Sequence, residues 1–286
     1  MVAQTKIFQG EIWNYYQEHK RILPWRETRN PYHILVSEVM LQQTQVERVK
    51  GFYDAFLRKF PDVESLARAP LSEVLPLWKG LGYNRRAVNL KKTAEEIVRR
   101  NLEDAENVKG ENLKKSSKVD GFPRNYSELL SLPGVGPSTA GAVMNFAYNI
   151  PTAFIETNIR TVYLHFFFKD KEGVSDKEIL SLVEQTQDMK NPRDWYYALY
   201  DYGVMLKKTV GNLNTRSKHY KKQSTFKGSN RELRAQILFY LLEKKRATVS
   251  QTATHLKRKD DEVKAVLETF VKEGTMKKKG LSFEIV

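Results

Sequence analysis

The sequence predicts a mainly α protein that ends in a small winged-helix-like domain. Three observations lead there: apolar residues recur at helical spacing across residues 1–206, a knot of glycine and proline divides two of those helical runs, and the order of elements changes after a basic stretch over 207–229.

The first long run, Asn30 to Phe60, repeats apolar residues at Leu35, Val39, Val46, Val49, Phe52 and Phe56, close to helical spacing and a poor fit to strand alternation. "SLARAPLSEVLPLWKGLGY" (65–83) and "RRAVNLKKTAEEIVRR" (85–100) continue it, with breaks at Pro70 and from Gly80 to Gly82. Residues 101–121 are charged, contain glycine and serine and lose the apolar period, so they are expected to form a mobile surface insertion without a catalytic role. Helical signals resume at "NYSELLSL" (125–132) and run through "SDKEILSLVEQTQDM" (175–189) to "WYYALYDYGVMLKK" (195–208). Residues 207–229 read as a basic linker. Residues 230–286 then give a helix, a short strand, two helices and two short strands around Lys277 to Gly280, the order of a winged helix; a plain three-helix appendage is the alternative.

With 48 Lys+Arg against 34 Asp+Glu the net charge is +14, which favours a polyanionic partner, nucleic acid or an anionic membrane. Half of it lies between Gly203 and Asn230, where seven Lys/Arg face no Asp or Glu. No apolar run approaches the ~18 residues of a membrane span, and the N-terminus lacks a signal-peptide core, so the expectation is an intracellular protein, cytoplasmic or otherwise inside the cell. There is no cysteine, which excludes disulfides, thiol nucleophiles, Cys-ligated zinc and iron–sulfur clusters.

Pro133-Gly134-Val135-Gly136 stands between the runs Tyr126–Leu132 and Pro137–Ala147. Glycine permits positive φ and close approach, and Pro137 suits a first helical turn, so the hairpin turns the amides of the second helix outward, where they can bind a phosphate without reading a base. A tight helical corner that binds nothing is the plain alternative.

"LPGVGPSTAGAV" (132–143) resembles the helix-hairpin-helix of base-excision DNA glycosylases related to endonuclease III, and "NPYHILVSEVMLQQTQVERV" (30–49) with "PLWKGLGYNRRAVNL" (76–90) resembles more closely the MutY-type adenine glycosylases. The resemblance runs from about Ile22 to Lys207 and implies a two-lobed helical helix-hairpin-helix glycosylase core. It also implies phosphate contacts at Gly134, Val135, Gly136, Ser138 and Thr139; Lys207 and Lys208, at the start of the basic stretch, are expected as further backbone contacts on their charge alone.

Cleaving the bond from a purine to its sugar needs a protonated acid for the ring nitrogen and a carboxylate beside an oxocarbenium-like sugar, two carboxyls whose pKa values are held apart. Glu38, with Ile34, Leu35, Leu41 and Gln42 as its helical neighbours, emerges from a mostly apolar surface that favours the protonated form. The resemblance makes it the general acid at adenine N7. Glu156 falls where the superfamily has aspartate; the charge is kept while the carboxylate moves by about an ångström, a shift that can cost ~100-fold in rate. Asn158 follows as in MutY-type members, to orient that carboxylate or contact the sugar-phosphate. Ser138 stands where bifunctional members carry a lysine, and serine cannot form a Schiff base, so strand nicking is not expected.

The target base must leave the duplex. By resemblance Gln43 and Tyr83 fill the gap, Leu41 and Gln42 line the base pocket and Trp25 forms a wall; a surface glutamine, a core tyrosine and a core tryptophan are the plainer readings. The cysteine motif that usually follows "DYGVM" is absent, leaving no expected cofactor beyond an open candidate for a monovalent ion at the hairpin. The family's MutT-like module is not seen, and the winged-helix-like segment stands instead. The expectation is a monomeric, monofunctional glycosylase on double-stranded DNA with A opposite 8-oxoguanine or guanine. A thymine glycosylase on G·T and a non-catalytic DNA-binding protein are the alternatives.

Overall fold

The computed structural model describes residues 2–107, 118–119, 121–223 and 225–286, and these are mainly helical. The chain divides into two compact units, Met1–Glu38 with Lys114–Lys222 and Val39–Leu113 with Gln223–Val286.

Helices α1 (Val2–His19) and α2 (Pro31–Leu41) open the first unit, and α2 runs on into the second. Asn30 starts α2, its side-chain oxygen accepting the N–H groups of Tyr32 (2.9 Å) and His33 (3.2 Å). In the second unit, α3 (Val46–Lys59) buries Val49, Tyr53 and Phe56 along one stripe. A reciprocal cap between Asp62 and Ser65 begins α4 (Val63–Arg68). After α5 (Leu71–Val74), the long α6 (Arg85–Asn107) packs on α4 through Ala87, Leu90, Ala94 and Ile97.

The expected insertion over 101–121 is therefore helical in its first part. Arg99 pairs with Glu96 and Glu103, and Arg100 with Glu96, at three- and four-residue spacing, so an exposed stretch without apolar period still carries the helix. Residues 108–117 and 120 of that expectation lie outside the described residues. Strands β1 (Lys118–Val119) and β2 (Phe122–Pro123) pair antiparallel.

The first unit continues with α7 (Tyr126–Leu130), α8 (Pro137–Tyr148), α9 (Thr157–Phe167), α10 (Asp176–Thr186) and α11 (Pro192–Thr209). Its core lies where α1 and α9 pack against α11. There the ring of Phe8 meets Tyr163 and Trp195 edge-on at 5.4 and 5.6 Å. Within it the Arg26 guanidinium donates to both carboxylate oxygens of Asp201 at 2.8 Å, a buried bidentate pair.

Residues 207–229 are not a linker throughout. α11 carries Lys207 and Lys208 to Thr209, and the next stretch is fastened to α9. Asn214 Nδ2 donates to Thr161 Oγ1 (2.7 Å), while Arg216 donates to the carbonyls of Leu164 (2.8 Å), Phe168 (2.9 Å) and Lys169. These are the orphan acceptors of a helix C-terminus, where a cation is favoured. The Val174 N–H bonds to Arg216 O (3.1 Å) and the Lys218 N–H to Val174 O (2.9 Å), closing the arrangement.

The second unit ends with α12 (Asn230–Lys244), β3 (Arg246–Thr248), α13 (Val249–Leu256), α14 (Asp260–Lys272), β4 (Met276–Lys279) and β5 (Ser282–Ile285). The strands form an antiparallel sheet in the order β3-β5-β4, with Ala247 and Lys278 both opposite Phe283. This segment belongs to the same compact unit as α3–α6. Glu273 accepts from Arg234 (2.6 Å) with its side chain and from Lys92 of α6 (2.9 Å) with its carbonyl. No helix of the described residues is long and apolar enough to cross a membrane.

Candidate active site

Glu156 is the N-cap of α9. Its Oε1 accepts the N–H groups of Asn158 (2.7 Å) and Ile159 (2.8 Å), and its Oε2 accepts Asn158 Nδ2 (3.2 Å). Asn158 thus donates to the carboxylate twice, once from its backbone and once from its side chain. Burial pushes the Glu156 carboxyl up to about 7 against the pull of those donors.

Glu38, on α2, carries no such cap. Burial first and the Glu156 charge second push its carboxyl up to about 8, opposed by the Arg26 cation and the Tyr200 hydroxyl. Both carboxylates keep part of their surface open to solvent while protein surrounds them closely enough to disfavour charge. The order follows from the donors: amides offset part of the burial at Glu156, whereas Glu38 lacks them and retains its proton to higher pH.

Two neighbours escaped the sequence reading. Tyr200 hydrogen-bonds to Glu38, and burial together with the two carboxylates raises its own pKa well above the ordinary value, so it stays a protonated donor. Arg26, fixed by Asp201 and lying 4.4 Å from the Tyr197 ring centroid, is a cation that eases Glu38 toward ionisation. A polar Tyr200-Asp201 pair amid an otherwise core-like aromatic run was the available signal. Trp25 is only 3% exposed, as a core residue is.

The hairpin forms as its composition suggests. Gly134 takes φ +76, the Val135 N–H bonds to Leu132 O (3.2 Å), and Gly136 caps α8 with Pro137 in the first turn. Gly134 is exposed, Gly136 and Ser138 half-buried, and Val135 and Thr139 buried. Lys207 and Lys208 are exposed at the end of α11.

The second unit brings Gln43 and Tyr83 together. Both have left-handed backbones, φ +55 and +46, uncommon for residues other than glycine. The buried Arg86 guanidinium secures the two loops by donating to the carbonyls of Val39 (2.7 Å), Met40 (2.9 Å), Gln42 (2.7 Å), Leu81 (3.0 Å) and Gly82 (3.1 Å). Gln223 Nε2 donates to the Tyr83 hydroxyl and lies 3.5 Å from Gln43 Oε1. Leu41 ends α2 half-buried, and Gln42 is exposed.

The segment after α11 does not fit an iron–sulfur cluster. It offers no thiolate, and its Asn214 and Arg216 side chains are committed to α9.

The chain is 34% identical to the adenine DNA glycosylase of Buchnera aphidicola subsp. Baizongia pistaciae over 71% of this chain and 53% of that protein. It is 33% identical to the human adenine DNA glycosylase over 71% of this chain and 36% of that one. It thus spans about half the length of the first of these curated relatives, and less of the second. Among solved structures it is similar to a thermostable thymine-DNA glycosylase, with TM-score 0.58 and 28% identity over 71% of this chain and 87% of that one. It shares its fold with endonuclease III trapped on DNA, with TM-score 0.52 and 22% identity over 79% of this chain and 91% of that one. The model of the HhH-GPD superfamily base excision DNA repair proteins matches residues 36–185, from the helix of Glu38 across the hairpin and Glu156, and to that superfamily the chain belongs.

Proposed function

We propose that this protein is a monofunctional DNA glycosylase of base excision repair, acting as a monomer on double-stranded DNA and removing adenine mispaired with 8-oxoguanine or guanine. One observation carries the reading: Glu38, on a mostly apolar helix, lies within electrostatic reach of Glu156, and Glu156 alone of the two accepts a pair of backbone amides and the Asn158 side chain, so Glu38 is the one that favours its proton more. The likeness to proteins named adenine DNA glycosylase supports it.

With the adenine turned out of the duplex, Glu38 gives its proton to N7, and the bond between N9 and C1′ breaks with both electrons going to the base. The sugar becomes oxocarbenium-like beside the Glu156 carboxylate, which Asn158 holds in place. Water adds to C1′ and gives up a proton that restores the Glu38 carboxyl, leaving free adenine and an abasic site. Tyr200 keeps Glu38 oriented through its hydroxyl. Ser138 supplies no amine, so the strand stays intact until alkali breaks it.

Amides around Gly134, Val135, Gly136, Ser138 and Thr139 take the phosphate backbone, with a monovalent ion among the hairpin carbonyls as a candidate companion and Lys207 and Lys208 as further contacts. Gln43 and Tyr83 occupy the space the base vacates; Leu41, Gln42 and Trp25 shape its pocket. The chemistry needs no iron–sulfur cluster and takes place wherever the DNA resides.

A second reading, removal of thymine from G·T, is favoured by the likeness to the thermostable thymine-DNA glycosylase. Thymine has no N7 to protonate, which makes Glu38 the argument against it. Single-turnover reactions on end-labelled duplexes carrying A·8-oxoguanine, A·G or G·T, with and without hot alkali, separate the readings. Breaks at adenine only after alkali support the proposal, and breaks at thymine support the second reading. Breaks without alkali contradict the role of Ser138, and tight binding without any cleavage points to a non-catalytic DNA-binding protein.

A further inference from the structure

The small C-terminal sheet gathers cations on one face. Arg246 of β3 and Lys277 of β4 both stand opposite Glu284 of β5, and Lys279, two residues along β4, shares the face of Lys277. The Glu284 carboxylate lies 3.5 Å from Arg246 Nε, 3.2 Å from Lys277 Nζ and 2.8 Å from Lys279 Nζ. Lys279 first and Lys277 with it hold that carboxyl below its ordinary value, so it stays ionised among them. The other face is apolar: Ala247, Met276 and Phe283 are buried on the side of α12, α13 and α14. Lys278 belongs to that inner row, yet it is exposed, with Nζ 5.8 Å from the Phe283 ring centroid.

Three cations against one carboxylate leave the outer face positive, and Lys278 adds a further charge at its edge. Exposure sharpens the imbalance. Arg246, Lys277 and Lys279 show 57%, 51% and 54% of their side chains to solvent, whereas Glu284 shows 16%, so an approaching anion meets the cations and not the carboxylate.

The helix in the position of a recognition helix is charged otherwise. Such a helix enters a groove by its N-terminal residues, and the first turn of α14 is Asp260, Asp261 and Glu262, all exposed. The exposed Lys257, Arg258 and Lys259 stand immediately before them, so this end carries three charges of each sign. It gains little against phosphate, while the sheet face gains directly. Membership of a base excision DNA repair superfamily makes DNA the polyanion for that face.

We propose that Arg246, Lys277, Lys278 and Lys279 form a duplex-binding surface that contacts backbone phosphates whatever the sequence or pairing, with α14 kept out of the groove. The inference rests on the reading that the chain acts on double-stranded DNA. It goes beyond that reading by giving the C-terminal segment a task, affinity for undamaged duplex.

The test uses the full chain with a fully paired duplex and with an uncleavable one carrying 2′-fluoro-2′-deoxyadenosine opposite 8-oxoguanine, read by fluorescence anisotropy over a series of salt concentrations. Each phosphate contact contributes about 0.9 to the slope of log affinity against log salt. Lys277→Gln combined with Lys279→Gln is expected to lower the slope by about 2 and to weaken both duplexes alike, by on the order of 10-fold. Lys278→Gln, which breaks no ion pair, lowers it by about 1 and guards against a folding defect in the double variant, whose thermal midpoint is measured alongside. Lys257→Gln combined with Arg258→Gln is expected to leave the slope at the wild-type value. A wild-type slope in the Lys277, Lys278 and Lys279 variants, or a slope lowered by the Lys257 and Arg258 variant instead, overturns the inference. Lysine-dependent attachment to phosphatidylserine vesicles with unchanged duplex binding also overturns it, and assigns the face to a lipid surface. A slope lowered as expected, in a protein that releases no adenine from natural duplexes, defeats the proposed reaction and leaves this inference standing.

Discussion

Gly203 of α11 lies so close to Asn158 of α9 that a Cβ at Gly203 would stand 2.6 Å from the Asn158 carbonyl oxygen and 2.7 Å from its Cβ. The contact is with backbone, which cannot swing aside. Because Asn158 gives two hydrogen bonds to Glu156, the absence of a side chain at 203 is what lets the helix carrying Tyr200 close on the carboxylate.

Gly203→Ala is therefore expected to cost about 1–3 kcal/mol of stability through overpacking and to lower excision by about 100-fold through displacement of the Glu156 cap. Urea unfolding and single-turnover rates measure the two effects. Wild-type values for both would contradict the packing argument.

Glu156→Asp separates the helix cap from the chemistry. Aspartate is as good an N-cap residue, so α9 should remain intact. The shorter side chain withdraws the carboxylate by about an ångström in surroundings fitted to glutamate, and excision should fall about 10- to 100-fold. A faster enzyme would mean that the site is still shaped for aspartate.

The two raised carboxyls make stability depend on pH in an unusual direction. Between their ordinary value of 4.5 and their folded values of about 7 and 8, the folded state binds more protons than the unfolded one. Their contribution is complete below about 4.5 and is lost as pH rises through 7 to 8. Glu38→Gln, which cannot ionise, should stabilise the protein at pH 9 by on the order of a few kcal/mol and leave it nearly unchanged at pH 5. Thermal melts at the two pH values report the difference.

Arg216→Ala should loosen the stretch that follows α11. It removes a guanidinium from three carbonyls at the end of α9, at a cost of about 1–3 kcal/mol. Hydrogen exchange should rise at residues 213–218 with little change at Lys207 and Lys208 inside the helix.

Glu38 and the hairpin were legible because each rests on local chemistry: apolar neighbours at helical spacing, and glycine with proline at a turn. Tyr200 was hidden because a tyrosine in "WYYALYDYGVM" reads as core, and only the fold turns its hydroxyl to Glu38. The basic stretch misled because a count of charges does not say whether an arginine faces solvent or, like Arg216, the end of a helix. The extension of α6 to Asn107 rests on ion pairs that apolar periodicity does not register. The hydrogen bond from Arg231 to the Tyr83 hydroxyl could not be read from sequence at all, since 148 positions separate the two.

The most direct measurement is the pH dependence of single-turnover adenine release from an A·8-oxoguanine duplex, for the wild type and Glu38→Gln. The proposed reaction requires Glu38 protonated and Glu156 ionised, so on that proposal the wild-type rate should fall on the acid side through about 7 and on the basic side through about 8. Glu38→Gln should be slower by about 100-fold or more and lose the basic limb. A Glu38→Gln protein at the wild-type rate, or a wild-type rate still climbing above pH 8, would contradict the assignment of Glu38 as the acid.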